Sequence, residues 1–160
     1  MSWFVANDHC KGKGGKLVEI DSEEEQEALD QEIIRRGYRN SSRRMNFWMG
    51  LTDAESEGNW RLASNGLKPT FLSWHHSEPN DSEEGEDCAS WSGGLKSWYD
   101  IDCTKTFTKV NYVNMYALCE FDSSTGNPST ENSATLGDLT LRSHWPNDPI
   151  QKYLPMANSS

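Results

Sequence analysis

Apolar residues in this chain come in short runs, broken by acidic and glycine-bearing turns. Trp3, Ala6 and Cys10 recur at helical spacing behind Ser2, which predicts a short capped helix running to about Lys11. Gly12, Gly14 and Gly15 end it. Lys16-Leu17-Val18-Glu19-Ile20 alternates as a strand does. Ser22-Glu23-Glu24-Glu25 forms a capping box, in which hydroxyl and carboxylate satisfy amides that the first helical turn leaves free. The acidic first turn also suits the positive end of the helix dipole. The second helix is predicted to reach about Arg36 and stop near Gly37, burying Leu29, Ile33 and Ile34. An acidic turn follows over Thr52 to Asn59, then a strand at Trp60-Arg61-Leu62, then the punctuation of Gly66 and Pro69. Phe71, Leu72 and Trp74 are expected to pack the approach to the next loops, and Ala117 to Phe121 form a closing strand.

The 160 residues suffice for one domain and a tail. After Phe121 the composition turns to Ser, Thr, Asn and Pro without apolar periodicity, so residues 122–160 are expected to be disordered. The net charge of −10 repels phosphate backbones, which argues against nucleic acid as a partner. No apolar run approaches the roughly 20 residues of a membrane span, so no membrane insertion is expected. Seven Trp in a chain of low hydrophobicity imply a small core built on large aromatic anchors. Cys10, Cys88, Cys103 and Cys119 match no zinc or redox spacing. Their even number and wide spacing suit two disulfides of an oxidising compartment, with three pairings open.

The densest chemistry lies between Trp74 and Cys103. Glu78-Pro79-Asn80-Asp81 is followed by Glu86-Asp87-Cys88, and Trp98-Tyr99-Asp100 closes the stretch. Carboxylates and an amide at this density suit a hard cation, and calcium takes six to eight oxygen ligands of this kind. An X-Pro bond is cis at modest cost, and a cis Glu78–Pro79 bond would turn the Glu78 and Asn80 side chains to the same side.

At these residues the chain resembles the C-type lectin-like domain. In that family a Glu-Pro-Asn tripeptide, a Glu six residues on and a Trp-Asn-Asp tripeptide before a cysteine build the calcium site that holds sugar. Glu78, Asn80, Glu86 and Asp100 fall on those positions. The resemblance covers about residues 2–121 and also takes in Trp48-Met49-Gly50-Leu51 as the core strand. It implies an α+β fold of two helices, small antiparallel sheets and long calcium-binding loops. It pairs Cys88 with Cys103 and Cys10 with Cys119, with Ala89, Trp91, Trp98 and Tyr99 in strands flanking the short bridge. The long bridge closes a loop worth roughly 4–5 kcal/mol in the chain-entropy model. An auxiliary calcium site is implied at Asp53, Glu57, Asp81 and Asp87.

The implied activity is calcium-dependent binding of mannose-type glycans (mannose, glucose, fucose, N-acetylglucosamine), in a secreted module of innate recognition. Two departures qualify it. Tyr99 stands where the family has an Asn that gives both a metal oxygen and a sugar donor; Asp102 is a candidate to reach in instead. Lys105 to Asn114 makes the segment between Cys103 and Cys119 longer than the family's. Both favour a second reading, a protein partner or oligomer with calcium as a structural staple. The start, Met1-Ser2-Trp3-Phe4-Val5, has neither the charged nor the apolar region of a signal peptide. The family's opening strand is also missing, so a fragment or internal start is expected. Paired carboxylates also occur in glycosidases. Here they fall on metal-ligand positions, and His75 and His76 read as surface residues, so no enzyme is expected.

Overall fold

Both helices begin where the sequence places a serine cap. The structure, a computed structural model, describes residues 1–38, 45–82, 85–106 and 115–121, and the backbone of 153–156. The Ser2 hydroxyl accepts the Val5 N–H at 3.4 Å and starts helix α1 (Trp3–Gly12). The Ser22 hydroxyl accepts the Glu25 N–H at 3.2 Å and starts helix α2 (Glu23–Arg35). The Glu25 carboxylate reaches back to the Asp21 N–H at 2.8 Å.

The strands are β1 (Lys16–Leu17), β2 (Asn46–Thr52), β3 (Arg61–Leu62), β4 (Cys88–Ser92), β5 (Ser97–Ile101), β6 (Met115–Glu120) and β7 (Tyr153–Met156). They join in one sheet ordered β1-β6-β2-β4-β5, with β3 on β2 and β7 on β6. The β2–β6 pair is parallel, whereas β4 and β5 form an antiparallel hairpin. The expectation of a disordered tail is corrected at Tyr153–Met156, which pair with Ala117 to Glu120. The physical reason is that a sheet edge offers unpaired N–H and C=O groups, which a segment can meet without apolar periodicity. The rest of the tail, and 107–114 of the long segment before β6, lie outside the described residues.

β2 divides the interior. Phe47, Met49 and Leu51 join Val18, Leu29, Ile33, Trp91, Trp98 and Leu118 on one face. Trp48 points to the other, among Trp3, Ala6, Met115 and the four cysteines. This is the two-residue alternation of a strand buried on both sides. Gly50 is required here, because a Cβ would stand 2.8 Å from the Glu19 side chain and 2.9 Å from the Leu17 carbonyl. Cys10–Cys119 and Cys88–Cys103 both form.

α2 differs from its predicted stripe. Gln26, Leu29, Asp30 and Ile33 are buried, while Ile34 is 51% exposed. Ile34 lies about 100° round the helix from Ile33, past the contact face. The polar residues take core places because two tryptophans need acceptors. Trp98 Nε1 donates to Gln26 Oε1 at 2.6 Å, and Gln26 Nε2 donates to Asp30 Oδ2 at 3.1 Å. Asp30 Oδ1 accepts from Trp91 Nε1 at 3.2 Å and from the Gly94 N–H at 2.7 Å. α2 thereby fixes the hairpin that carries Tyr99 and Asp100. Asp30→Ala leaves the buried Gln26 and Trp91 side-chain donors short of an acceptor, each worth about 1–3 kcal/mol. Urea unfolding should show a loss of roughly 3 kcal/mol or more, and a smaller one for Asp30→Asn. Leu72 also departs from expectation at 44% exposed, while Phe71 and Trp74 pack edge-on against Trp98.

Candidate functional site

The loop between β3 and β4 is held over the β4–β5 hairpin by Asp100. Its Oδ2 accepts the backbone N–H of Asn80 at 2.8 Å and of Asp81 at 2.7 Å. Asp100 sits inward on β5, so strand alternation aims its carboxylate at the loop. The Glu78–Pro79 bond is cis. Asn80 Nδ2 donates to Glu78 Oε2 at 2.5 Å, so the two side chains meet. Asp81 Oδ1 closes the loop by accepting from the N–H groups of Gly85 and Glu86, both at 3.1 Å. Glu86 Oε2 accepts from the Ser82 hydroxyl at 3.0 Å.

A second acidic group lies beside the first. Asp53, Glu57 and Asp87 bring one carboxylate oxygen each within 4.8 Å of the others, and no other group of three meets as closely among the described residues. Thr52 Oγ1 and the Asp53 N–H both bond to the Asp87 carbonyl, at 2.7 and 3.2 Å, which locks the end of β2 to the start of β4. Asp53 Oδ2 accepts the Gly58 N–H at 2.8 Å. Asp81 stands outside this triad and serves the loop, although its charge bears on Glu57 and Glu86.

The electrostatics are those of anions held close together. Burial, then the shared hydrogen bond and charge of Asp100, push the Glu78 carboxyl up to about 7. Burial, with Asp100 and Asp81 adding charge, raises Glu86. Burial and the Asp87 charge raise Asp53, whereas Glu57 is raised chiefly by Asp53. Asp53 and Asp100 are almost fully buried, and each has one oxygen, Oδ1, without a hydrogen-bond partner among the described residues. A buried carboxylate oxygen with no donor is costly, and an oxygen-preferring cation supplies the missing charge. One orphan oxygen in each acidic group, with oxygen donors throughout, fits calcium at both.

The Glu78 shift sets a pH dependence. Its folded value lies above the ordinary 4.5. The stability it contributes without metal is therefore complete below that value and is lost as pH rises toward about 7. Calcium needs the ionised form, so its affinity should rise across the same window. Calcium titrations at pH 5 and pH 8 should show at least tenfold weaker binding at the lower pH.

Tyr99 is turned to His75, its ring stacked at 5.2 Å and 21°. His76 lies against His75 at 4.1 Å. His75 Nδ1 pairs with Ser77 Oγ at 3.2 Å, and that hydroxyl donates to Glu78 Oε1 at 3.4 Å. These contacts tie His75, on the surface, to the Glu78 loop. Asp102 does not reach in. Its Oδ1 accepts from the Thr104 N–H and hydroxyl, both at 2.8 Å, and Lys105 approaches at 3.6 Å.

Residues 1–121 match the family model of the lectin C-type domain. The chain belongs to that family. A perlucin-like protein of Mytilus galloprovincialis is 34% identical over 104 residues, which is 64% of this chain and 63% of that protein. The CD209 antigen of Homo sapiens is 39% identical over 105 residues, 64% of this chain and 23% of the antigen. The C-type lectin domain family 4 member E of Mus musculus is 36% identical over 75% of this chain and 50% of its own length. This chain thus spans less than two thirds of these relatives. Among solved structures, the mouse scavenger receptor C-type lectin carbohydrate-recognition domain superposes with a TM-score of 0.55 at 28% identity, covering 65% of this chain and 75% of that one. The cow CD23 carbohydrate-recognition domain, solved in the presence of a GlcNAc2Man3 oligosaccharide, gives 0.54 at 30% identity, covering 66% and 73%. Family and fold are those of carbohydrate-binding proteins without catalytic activity. Among the described residues no helix is long and apolar enough to cross a membrane.

Proposed function

We propose that this chain is a secreted, calcium-dependent module binding mannose-type glycans in innate recognition of microbial surfaces. The observation that carries the calcium part is the pair of buried, partnerless oxygens, Asp53 Oδ1 and Asp100 Oδ1. Glu78, Asn80, Glu86 and Asp100 would hold the principal calcium, and Asp53, Glu57 and Asp87 the auxiliary one, which Asp81 would join only by leaving its present place in the loop. Bound calcium supplies coordination positions for two vicinal sugar hydroxyls.

The side chains do the rest. The Glu78 carboxylate accepts from a sugar hydroxyl, and the Asn80 amide offers an oxygen to the metal and an N–H to the sugar. Asp100 holds the loop by its backbone, so the order carboxylate then amide stays fixed. That order supports mannose-type selection, as does the likeness to the cow CD23 domain solved in the presence of a GlcNAc2Man3 oligosaccharide. A mannan-agarose column loaded in calcium and eluted with chelator tests the proposal: retention supports it, and flow-through in calcium overturns the sugar half.

One observation favours a second reading, a protein partner with calcium as a staple. Tyr99, whose phenol carries no amide to offer the metal, stacks on His75. Flow-through together with a calcium-dependent rise in melting temperature would select it.

A further inference from the structure

Asn80-Asp81-Ser82 is an Asn-x-Ser acceptor for N-linked oligosaccharide, with a middle residue other than Pro. We infer that Asn80 is a glycosylation site, and that a glycan there caps the very site at which the chain would take sugar from outside. The regulatory half rests on the proposed function; the modification itself does not.

The geometry favours access. Asn80 and Ser82 are exposed, on the loop between β3 and β4. Only the backbone of Asn80 is engaged inward, through its N–H to Asp100. Its amide Nδ2, the atom that would be modified, meets the half-buried Glu78 carboxylate at 2.5 Å on the outer side. The left-handed turn at Asp81, with φ of 42°, separates acceptor from hydroxyl residue within the tripeptide. The two disulfides place folding in an oxidising secretory compartment, where such transfer takes place. The co-substrate is an oligosaccharide carried on a polyprenyl diphosphate. Nδ2 bonds to the anomeric carbon and loses one proton, while the sugar–oxygen bond breaks and its electron pair leaves with the lipid diphosphate.

The consequence follows from counting donors. An unmodified Asn80 amide has two N–H groups, one toward Glu78 and one for an incoming hydroxyl. A glycosylated amide keeps one, and the attached sugar stands where the incoming sugar must lie. The second acidic group, Asp53, Glu57 and Asp87, is untouched, so calcium still stabilises the modified chain.

The experiment is secretion of the full chain from a eukaryotic cell line, beside bacterial protein refolded with its disulfides. Tryptic peptides are treated with an amidase that releases glycan in heavy-oxygen water, and occupancy at Asn80 is read from the mass-tagged Asp it leaves. Ser82→Thr keeps the hydroxyl that meets Glu86 and should raise occupancy at least twofold. The occupied fraction should pass through mannan-agarose in calcium, the unoccupied fraction should be retained, and both should gain melting temperature with calcium. An Asn80 peptide unmodified in both the native sequence and Ser82→Thr overturns the inference. Equal retention of occupied and unoccupied chains overturns the capping. If bacterial protein is also unretained, the mannose reading fails by itself, and the occupancy measurement still decides the modification.

Discussion

Calcium at 10 mM should raise the melting temperature of this chain by roughly 5–10 °C relative to chelator. Extracellular modules bind calcium with dissociation constants of roughly 10⁻⁴–10⁻³ M. At that concentration, binding to the native state alone contributes about 1.4–2.7 kcal/mol per site. For a domain of this size each kcal/mol moves the transition by about 2–8 °C. The same argument gives a variant whose effects have opposite signs. Asp53→Asn removes one of the mutually repelling carboxylates, and the new amide can donate to Asp87 or Glu57 from the place of the orphan oxygen. Without calcium this variant should melt at or above the native temperature, whereas its gain on adding calcium should fall by about half or more. Differential scanning fluorimetry in chelator and in calcium reads both. A native chain that gains nothing from calcium would reduce the eight acidic and amide positions to a solvated surface.

Residue type and spacing put those positions forward in the sequence, because both carry the chemistry a metal loop needs. Glu78, Asn80, Glu86 and Asp100 resemble a known pattern, and the structure brings Asn80 to Glu78 and hangs the loop on Asp100. Of the auxiliary set, Asp53, Glu57 and Asp87 come together, whereas Asp81 serves its own loop and stands outside the triad. Caps are local, so α1 and α2 were readable too, whereas β2 came forward only through the family resemblance of Trp48 to Leu51. What the sequence hid was non-local. Gln26 and Asp30 owe their core places to Trp91 and Trp98, more than sixty residues away, which turn their indole N–H groups toward them. Ile34 looked like core because hydrophobicity alone cannot say where a helix face ends. β7 had no pattern to read, since its pairing is with backbone. The stack of Tyr99 on His75 joins two loops that only the folded hairpin brings together.

That stack makes Tyr99→Asn the most informative single change at the sugar site. The phenol sits on a long rigid arm, packed against His75, and a neutral phenol is a poor ligand for calcium. An Asn at this point of β5 ends closer to the strand and carries both an oxygen for the metal and an N–H for a sugar hydroxyl. A hydrogen bond to a charged or metal-bound group is worth about 1.5–3 kcal/mol, and each 1.4 kcal/mol is about tenfold in affinity. Mannose affinity, measured by competition on mannan-agarose or by calorimetry, should therefore rise about tenfold or more. The cost in stability is the lost ring stack, about 0.5–1.5 kcal/mol. Adding Glu78→Gln with Asn80→Asp reverses the order of carboxylate and amide along the loop, and selectivity should move from mannose toward galactose. His75→Ala separates the two effects, because it releases the ring without supplying an amide: it should leave mannose affinity within about threefold of the native chain. If Tyr99→Asn binds no sugar while calcium still raises its melting temperature, the loop is a calcium staple and the partner of this surface is a protein.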